Sequence, residues 1–158
     1  MIKKIILGLA IIFIVLQFFR IDKSVPEVDA KKDFLTVYTP PVQVKAIIED
    51  TCYDCHSYKT QYPWYSNIAP VSWWLAGHID HGRGELNFST WTDYNDRRAD
   101  HKLEEAAEMV LNGEMPLPSY TYAHWDANLS EDQKMAMADW FEQLREEIKM
   151  EAEEDSTE

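Results

Sequence analysis

Cysteine occurs twice in the 158 residues, three positions apart, in the run Cys52-Tyr53-Asp54-Cys55-His56. Two cysteines are too few for a disulfide-stapled mini-protein or a four-cysteine zinc ribbon. The fold must therefore be built around one thiol pair with an imidazole directly behind it. In C-x-x-C-H the thiols are spaced to add across both vinyl groups of one haem, and the adjoining imidazole then lies against one face of the ring as an iron ligand. Three blander readings compete: a redox-active C-x-x-C, half of a zinc site, or a structural disulfide. The redox reading wants a βαβ context, which the sequence lacks, and zinc wants two further ligands at matching spacing. Haem c, one group covalently attached at Cys52 and Cys55 with His56 on the iron, is the reading the motif favours over these three.

A six-coordinate iron needs a second axial ligand. Met115 is the first candidate, in Asn112-Gly113-Glu114-Met115-Pro116-Leu117-Pro118. It breaks period with the helical patterns on both sides, and the prolines stiffen the chain that presents it. Met109, Met135 and Met137 fall inside periodic stripes and are expected in the core, and gap-filling is the competing role for Met115 as well. Among the other histidines His124, between Tyr122 and Trp125, is the rival distal ligand. His78 and His81 are three apart on one helix face, a spacing that can hold a metal but more often marks a half-exposed pair, and His101 is expected to be solvated. Tyr62, Trp64, Tyr65, Trp73 and Trp74 are expected to wall the haem pocket, a role compatible with plain core packing.

Helical periodicity places four elements around this motif. The first opens at Pro41, with Val44, Ile47 and Ile48, and runs into Cys52. A second opens at Pro70, with Val71, Trp74, Leu75 and His78 as its face, and stops in the glycines at 82 and 84. The third covers about 97–111 on a stripe of Leu103, Ala106, Ala107, Val110 and Leu111, closed by Asn112-Gly113 in a left-handed cap. The fourth starts at a capping box, Ser130 with Gln133, and carries Met137, Trp140, Phe141, Leu144 and Ile148. No strand alternation or internal repeat occurs. The expected fold class is all-α, a small helical domain with long loops around one haem.

Before this domain, Ile5 to Phe19 is an apolar run whose only polar side chain is Gln17. Fifteen residues is short against the roughly 20 that cross a bilayer. No small-x-small cleavage site follows, so an uncleaved N-terminal transmembrane helix is expected, with the N-terminus in the cytoplasm and the haem domain on the periplasmic side. The division is then 1–20 membrane anchor, 21–40 tether, 41–150 haem domain and 151–158 acidic tail, which is expected to fray. With 15 Lys and Arg against 28 Asp and Glu, the net charge is −13 at pH 7. That excludes a nucleic-acid-gripping surface and favours a basic redox partner protein. No small-molecule substrate is identified.

The sequence resembles the membrane-anchored monohaem proteins of the haem-binding-domain family, within the wider c-type cytochrome class. The resembling stretch runs from Val44 to about Phe141. It includes Cys52 to His56, the tryptophan-rich run from Tyr62 to Trp74, Leu86-Asn87-Phe88-Ser89, and Gly113-Glu114-Met115-Pro116-Leu117. The resemblance implies thioether attachment at Cys52 and Cys55, His56 as the proximal ligand and Met115 as the distal one. Residues 42–51 lack the glycine and aromatic with which small cytochromes usually cross their last helix, although Trp140 and Phe141 supply the other half. The expected function is one-electron transfer. A small haem peroxidase and a haem-based redox or ligand sensor are the alternatives, with His78, His81 or His124 available for acid–base work in the first. No catalytic constellation beyond these is evident.

Overall fold

The computed structural model describes residues 1–155, which form helices, turns and loops with no strand. The longer elements are α1 (Ile2–Leu16), α2 (Phe34–Val37), α3 (Val42–Ile47), α4 (Tyr53–His56), α5 (Val71–Glu85), α6 (Asp96–Leu111), α7 (Pro118–Ala123) and α8 (Glu131–Asp155). A wider π turn, Ile48–Cys52, joins α3 to α4, and single 3-10 segments occupy the loops.

The frame is the pair α6 and α8. Leu103, Ala107 and Val110 of α6 pack with Met137, Phe141, Leu144 and Ile148 of α8, all buried. Removing such side chains from water stabilises the fold by about 1.5–3 kcal/mol for each large one. Arg145 of α8 ties the same pair by charge, with Nε 2.7 Å from Asp100 Oδ1 and Nη2 2.8 Å from Glu104 Oε1. The capping box at the start of α8 forms as its sequence predicts, since Ser130 N donates to Gln133 Oε1 at 2.8 Å and Gln133 N donates to Ser130 Oγ at 3.3 Å. The helix runs on through the acidic residues to Asp155 rather than fraying after Met150, and 156–158 lie outside the described residues.

The expected transmembrane helix is corrected. No helix among the described residues is long and apolar enough to cross a membrane. The helix in the apolar run is α1, whose 15 residues at 1.5 Å each reach about 22 Å, against roughly 30 Å of bilayer hydrocarbon. The single-pass placement, with its cytoplasmic N-terminus and periplasmic domain, loses its support with it. The run ends early because Gln17 turns its side chain to the domain. Its Nε2 donates to Ala69 O at 3.1 Å and its Oε1 accepts from Ala69 N at 3.0 Å. Arg20 donates to Asn67 O, Lys23 to Ser66 Oγ, and Trp73 Nε1 to Phe19 O, each at 2.8 Å.

The segment expected to be a tether, 21–40, also joins the domain. Asp33 caps α2, and Phe34 is fully buried. Its ring lies 4.9 Å from Phe88, 4.6 Å from Trp91 and 5.5 Å from Trp140. Only the ring positions in space reveal this, because an isolated Phe-Leu pair has no period to betray its burial.

Helix α5 departs from its expected face and length. It passes through Gly82 and Gly84 to Glu85, and it buries Ser72, Leu75, Ile79 and Gly82, whereas Val71 and Trp74 are exposed. Where α5 lies directly on α4 the inward residue is a glycine. A Cβ at Gly82 would sit 2.9 Å from Cys55 O.

Candidate functional site

The motif 52–56 sits on two successive helical segments and is tied by residues that follow it in the chain. Thr60 Oγ1 donates to Asp54 O, and Ser57 Oγ to Tyr53 O. Arg83 of α5 donates through Nε to Ser57 O at 2.8 Å. Asp54, one of the two middle residues of the motif, accepts from Gln61 N and from Tyr120 Oη of α7, each at 2.8 Å. Burial pushes both thiols up, Cys52 to about 12, with Cys55 adding to it, and Cys55 to about 11. This is opposite in direction to the lowered thiol of a redox-active C-x-x-C. Both cysteines are free. Among the described residues no group of three or more His, Cys, Asp or Glu is placed to hold a bare metal ion, so the zinc reading finds no further ligands.

His56 is the most tightly set of these side chains. Its Nδ1 lies 2.9 Å from Gly82 O and 3.1 Å from Leu86 O. Both partners are carbonyl oxygens, so Nδ1 carries the proton and Nε2 keeps its lone pair, the arrangement that prepares a histidine for a metal. Burial lowers its pKa, outweighing the two backbone hydrogen bonds, and so favours the neutral ring. Phe88 holds the ring edge-on, with centroids 6.4 Å apart. The block Leu86 to Ser89 thereby gains a structural role. Leu86 accepts from the imidazole, Phe88 packs on it, and Ser89 Oγ accepts from Tyr58 N at 2.9 Å.

Cys52, Cys55, His56 and Met115 border one cavity of about 400 Å³, within the range of small-molecule and cofactor sites. Its walls are largely apolar, with Met109, Val110, Met137 and Phe141 contributed by α6 and α8. Met115 reaches it through the end of α6. Gly113 adopts φ +71°, Gly113 N donates to Val110 O, and Glu114 N to Met109 O, which is the Schellman pattern. Met115 N adds a bond to Met109 O at 3.1 Å. A helix end thus presents the methionine, as the left-handed cap at Asn112-Gly113 predicts. Met137 is buried in the core and Met115 itself packs against that core, while Met109 borders the cavity beside them and Met135, expected in the core, is exposed.

The other candidates are placed differently. His124 does not border this cavity. Its Nε2 is 2.7 Å from Tyr65 Oη, and its ring stacks on Tyr120 at 4.4 Å. His78 and His81 both border the cavity, His78 with its ring 4.2 Å from Trp74, while His101 is exposed beside Glu104 and Glu105. The expected aromatic wall gives way. None of Tyr62, Trp64, Tyr65, Trp73 and Trp74 borders the cavity. Tyr65 and Trp74 line a neighbouring 180 Å³ pocket that shares Cys55, His78, Leu117 and Tyr120 with the first. Trp64 is 77% exposed, and Tyr62 lies under the ammonium of Lys23 at 4.8 Å. Of these five, Tyr62 and Trp73 instead meet 17–23, through Lys23 and the Phe19 carbonyl. Gly82, Leu86, Phe88 and Lys102 are site residues that periodicity does not single out, because each acts through a backbone group or through a neighbour from another helix.

The residues fit a haem. They offer an apolar cavity of cofactor size, an imidazole with its Nε2 lone pair free, two neutral thiols and a thioether on the same cavity. A family model described as a haem-binding domain matches residues 11–143. Neither the curated proteins nor the solved structures contain a match. With the model covering most of the chain, and with the cavity and its imidazole on hand, the protein belongs to the haem-binding domain family.

Proposed function

We propose that this protein is a monohaem c-type cytochrome that carries single electrons, with haem attached at Cys52 and Cys55 and its iron held by His56 and Met115. The observation that carries the reading is the double carbonyl clamp on His56 Nδ1, on the same cavity as both thiols and Met115. Haem bound there supplies reversible one-electron chemistry at iron. Attachment adds each S–H across one vinyl double bond, sulfur to one carbon and hydrogen to the other, with no net oxidation. Gly82 and Leu86 hold the imidazole in one orientation, so the ligand need not reorganise between the two oxidation states. The Schellman end of α6 fixes the backbone from which Met115 reaches the cavity. Acidic residues on the surface suit a partner with a basic face.

Protein made with a haem-maturation system should keep its colour through acid-acetone extraction and give a c-type pyridine haemochrome; extractable haem, or none, overturns attachment. Ferric protein should show a weak far-red sulfur-to-iron band. Met115→Ala should abolish that band, lower the reduction potential and admit carbon monoxide. An unchanged spectrum in Met115→Ala together with an altered one in His124→Ala transfers the distal role to His124. Turnover of peroxide by the unaltered protein would favour an enzyme over a carrier.

A further inference from the structure

We infer that Lys102 is the binding site for a haem carboxylate, and this rests on the haem reading above. The cavity is bordered by a single Lys or Arg among the described residues, and it is Lys102, in the N-terminal half of α6. Its side chain is only 13% exposed. An ammonium carries three donors. In this structure one is spent, on Glu105 Oε2 at 2.7 Å, while Glu85 Oε2 stands at 3.9 Å, beyond hydrogen-bond reach. Glu85 and Glu105 border the cavity beside it, and the ammonium, held between them, is the one cationic group there that can meet a carboxylate entering with the ligand.

Placement along α6 agrees. Lys102 and Met109 are seven residues apart, about 10 Å on the helix axis. Met109 marks the end where its carbonyl holds Met115. Cys55 lies toward that same end, since it shares the neighbouring pocket with Leu117 and Tyr120. The two carboxylates of haem leave the ring on the edge away from the vinyl carbons that the thiols attack. With the thioether edge near Cys55, the carboxylate edge faces the Lys102 end. Glu105 and Glu85 then serve as holding partners, keeping the ammonium at the cavity, and Lys102 can retain Glu105 while one of its free donors meets the ligand.

Resonance Raman spectra of the holoprotein test this through the propionate bending band, which moves when the hydrogen bond to the carboxylate changes. Lys102→Gln should shift that band and lower the reduction potential, because a positive charge beside the ring is lost. Lys102→Arg should shift the band while the potential stays near that of the unaltered protein. Lys32→Gln, which removes a cation from the Asp93 pair off the cavity, should leave the band in place. A band unchanged in both Lys102 variants overturns the assignment even where haem is retained, and Lys102→Arg alone decides it if the glutamine variant does not accumulate. A purely structural role would lower thermal stability without moving the band. Failure of the unaltered protein to hold haem would instead overturn the haem reading itself.

Discussion

At Gly82 a hydrogen in place of a side chain lets α5 touch the motif, and this contact sets the imidazole. A Cβ there would meet backbone atoms of Cys55 at 2.9 and 3.3 Å, which cannot swing aside as a flexible side chain would. Gly82→Ala should therefore push α5 off α4, cost about 1–3 kcal/mol and weaken the carbonyl clamp on His56. Gly84→Ala is the control, since a Cβ there meets nothing within 4 Å and should be neutral or stabilising by about 0.5–1 kcal/mol. Thermal unfolding and haem retention of the two variants, measured together, check this. Equal effects of the two substitutions on unfolding and haem retention would show that the close approach at Gly82 is not responsible.

Among elements, the α6–α8 pair holds the cavity wall that carries Met109 and Met137, and its polar tie is Arg145 with Asp100. Burial alone would raise the Asp100 carboxyl, but the hydrogen bond and charge of Arg145, with Lys149 behind, bring it below its ordinary value of 3.8. A carboxylate depressed in the folded state contributes stability that is complete above its unfolded pKa and is lost as the pH falls through the folded one. Asp100→Asn should therefore be less stable than the unaltered protein at pH 6 to 7, and the difference should shrink below about pH 4. Denaturant unfolding of both proteins across that range tests it. A difference that does not vary with pH would place the effect in packing instead.

Across the whole molecule, 17–40 is bound to the domain by polar contacts to 66–73, by Lys32 on Asp93, by Asp33 on Tyr53 and Lys59, and by Phe34 in the aromatic cluster. Phe34→Ala should cost about 3–5 kcal/mol, read as a lowered unfolding midpoint; a loss under 1 kcal/mol would mean that 21–40 is a tether after all. For partner choice, electron transfer to a basic protein should slow as salt rises toward a Debye length of about 8 Å at physiological ionic strength, and rates indifferent to salt would argue against charge-guided docking. What the sequence determined by itself is local: the placing of Cys52, Cys55 and His56 on one short stretch, the helices at 97–111 and 131–148, the cap at Gly113 and the capping box at Ser130. Each depends on spacing within a few residues, where periodicity and hydrogen-bond chemistry act directly. The tertiary structure alone decided which face α5 buries, where the tryptophans of 62–74 go, that Gln17 ends the apolar helix against Ala69, and that Lys102 meets the cavity. Those depend on contacts between residues tens of positions apart, where close backbone approach and the competition of several aromatic side chains for one core outweigh any local preference.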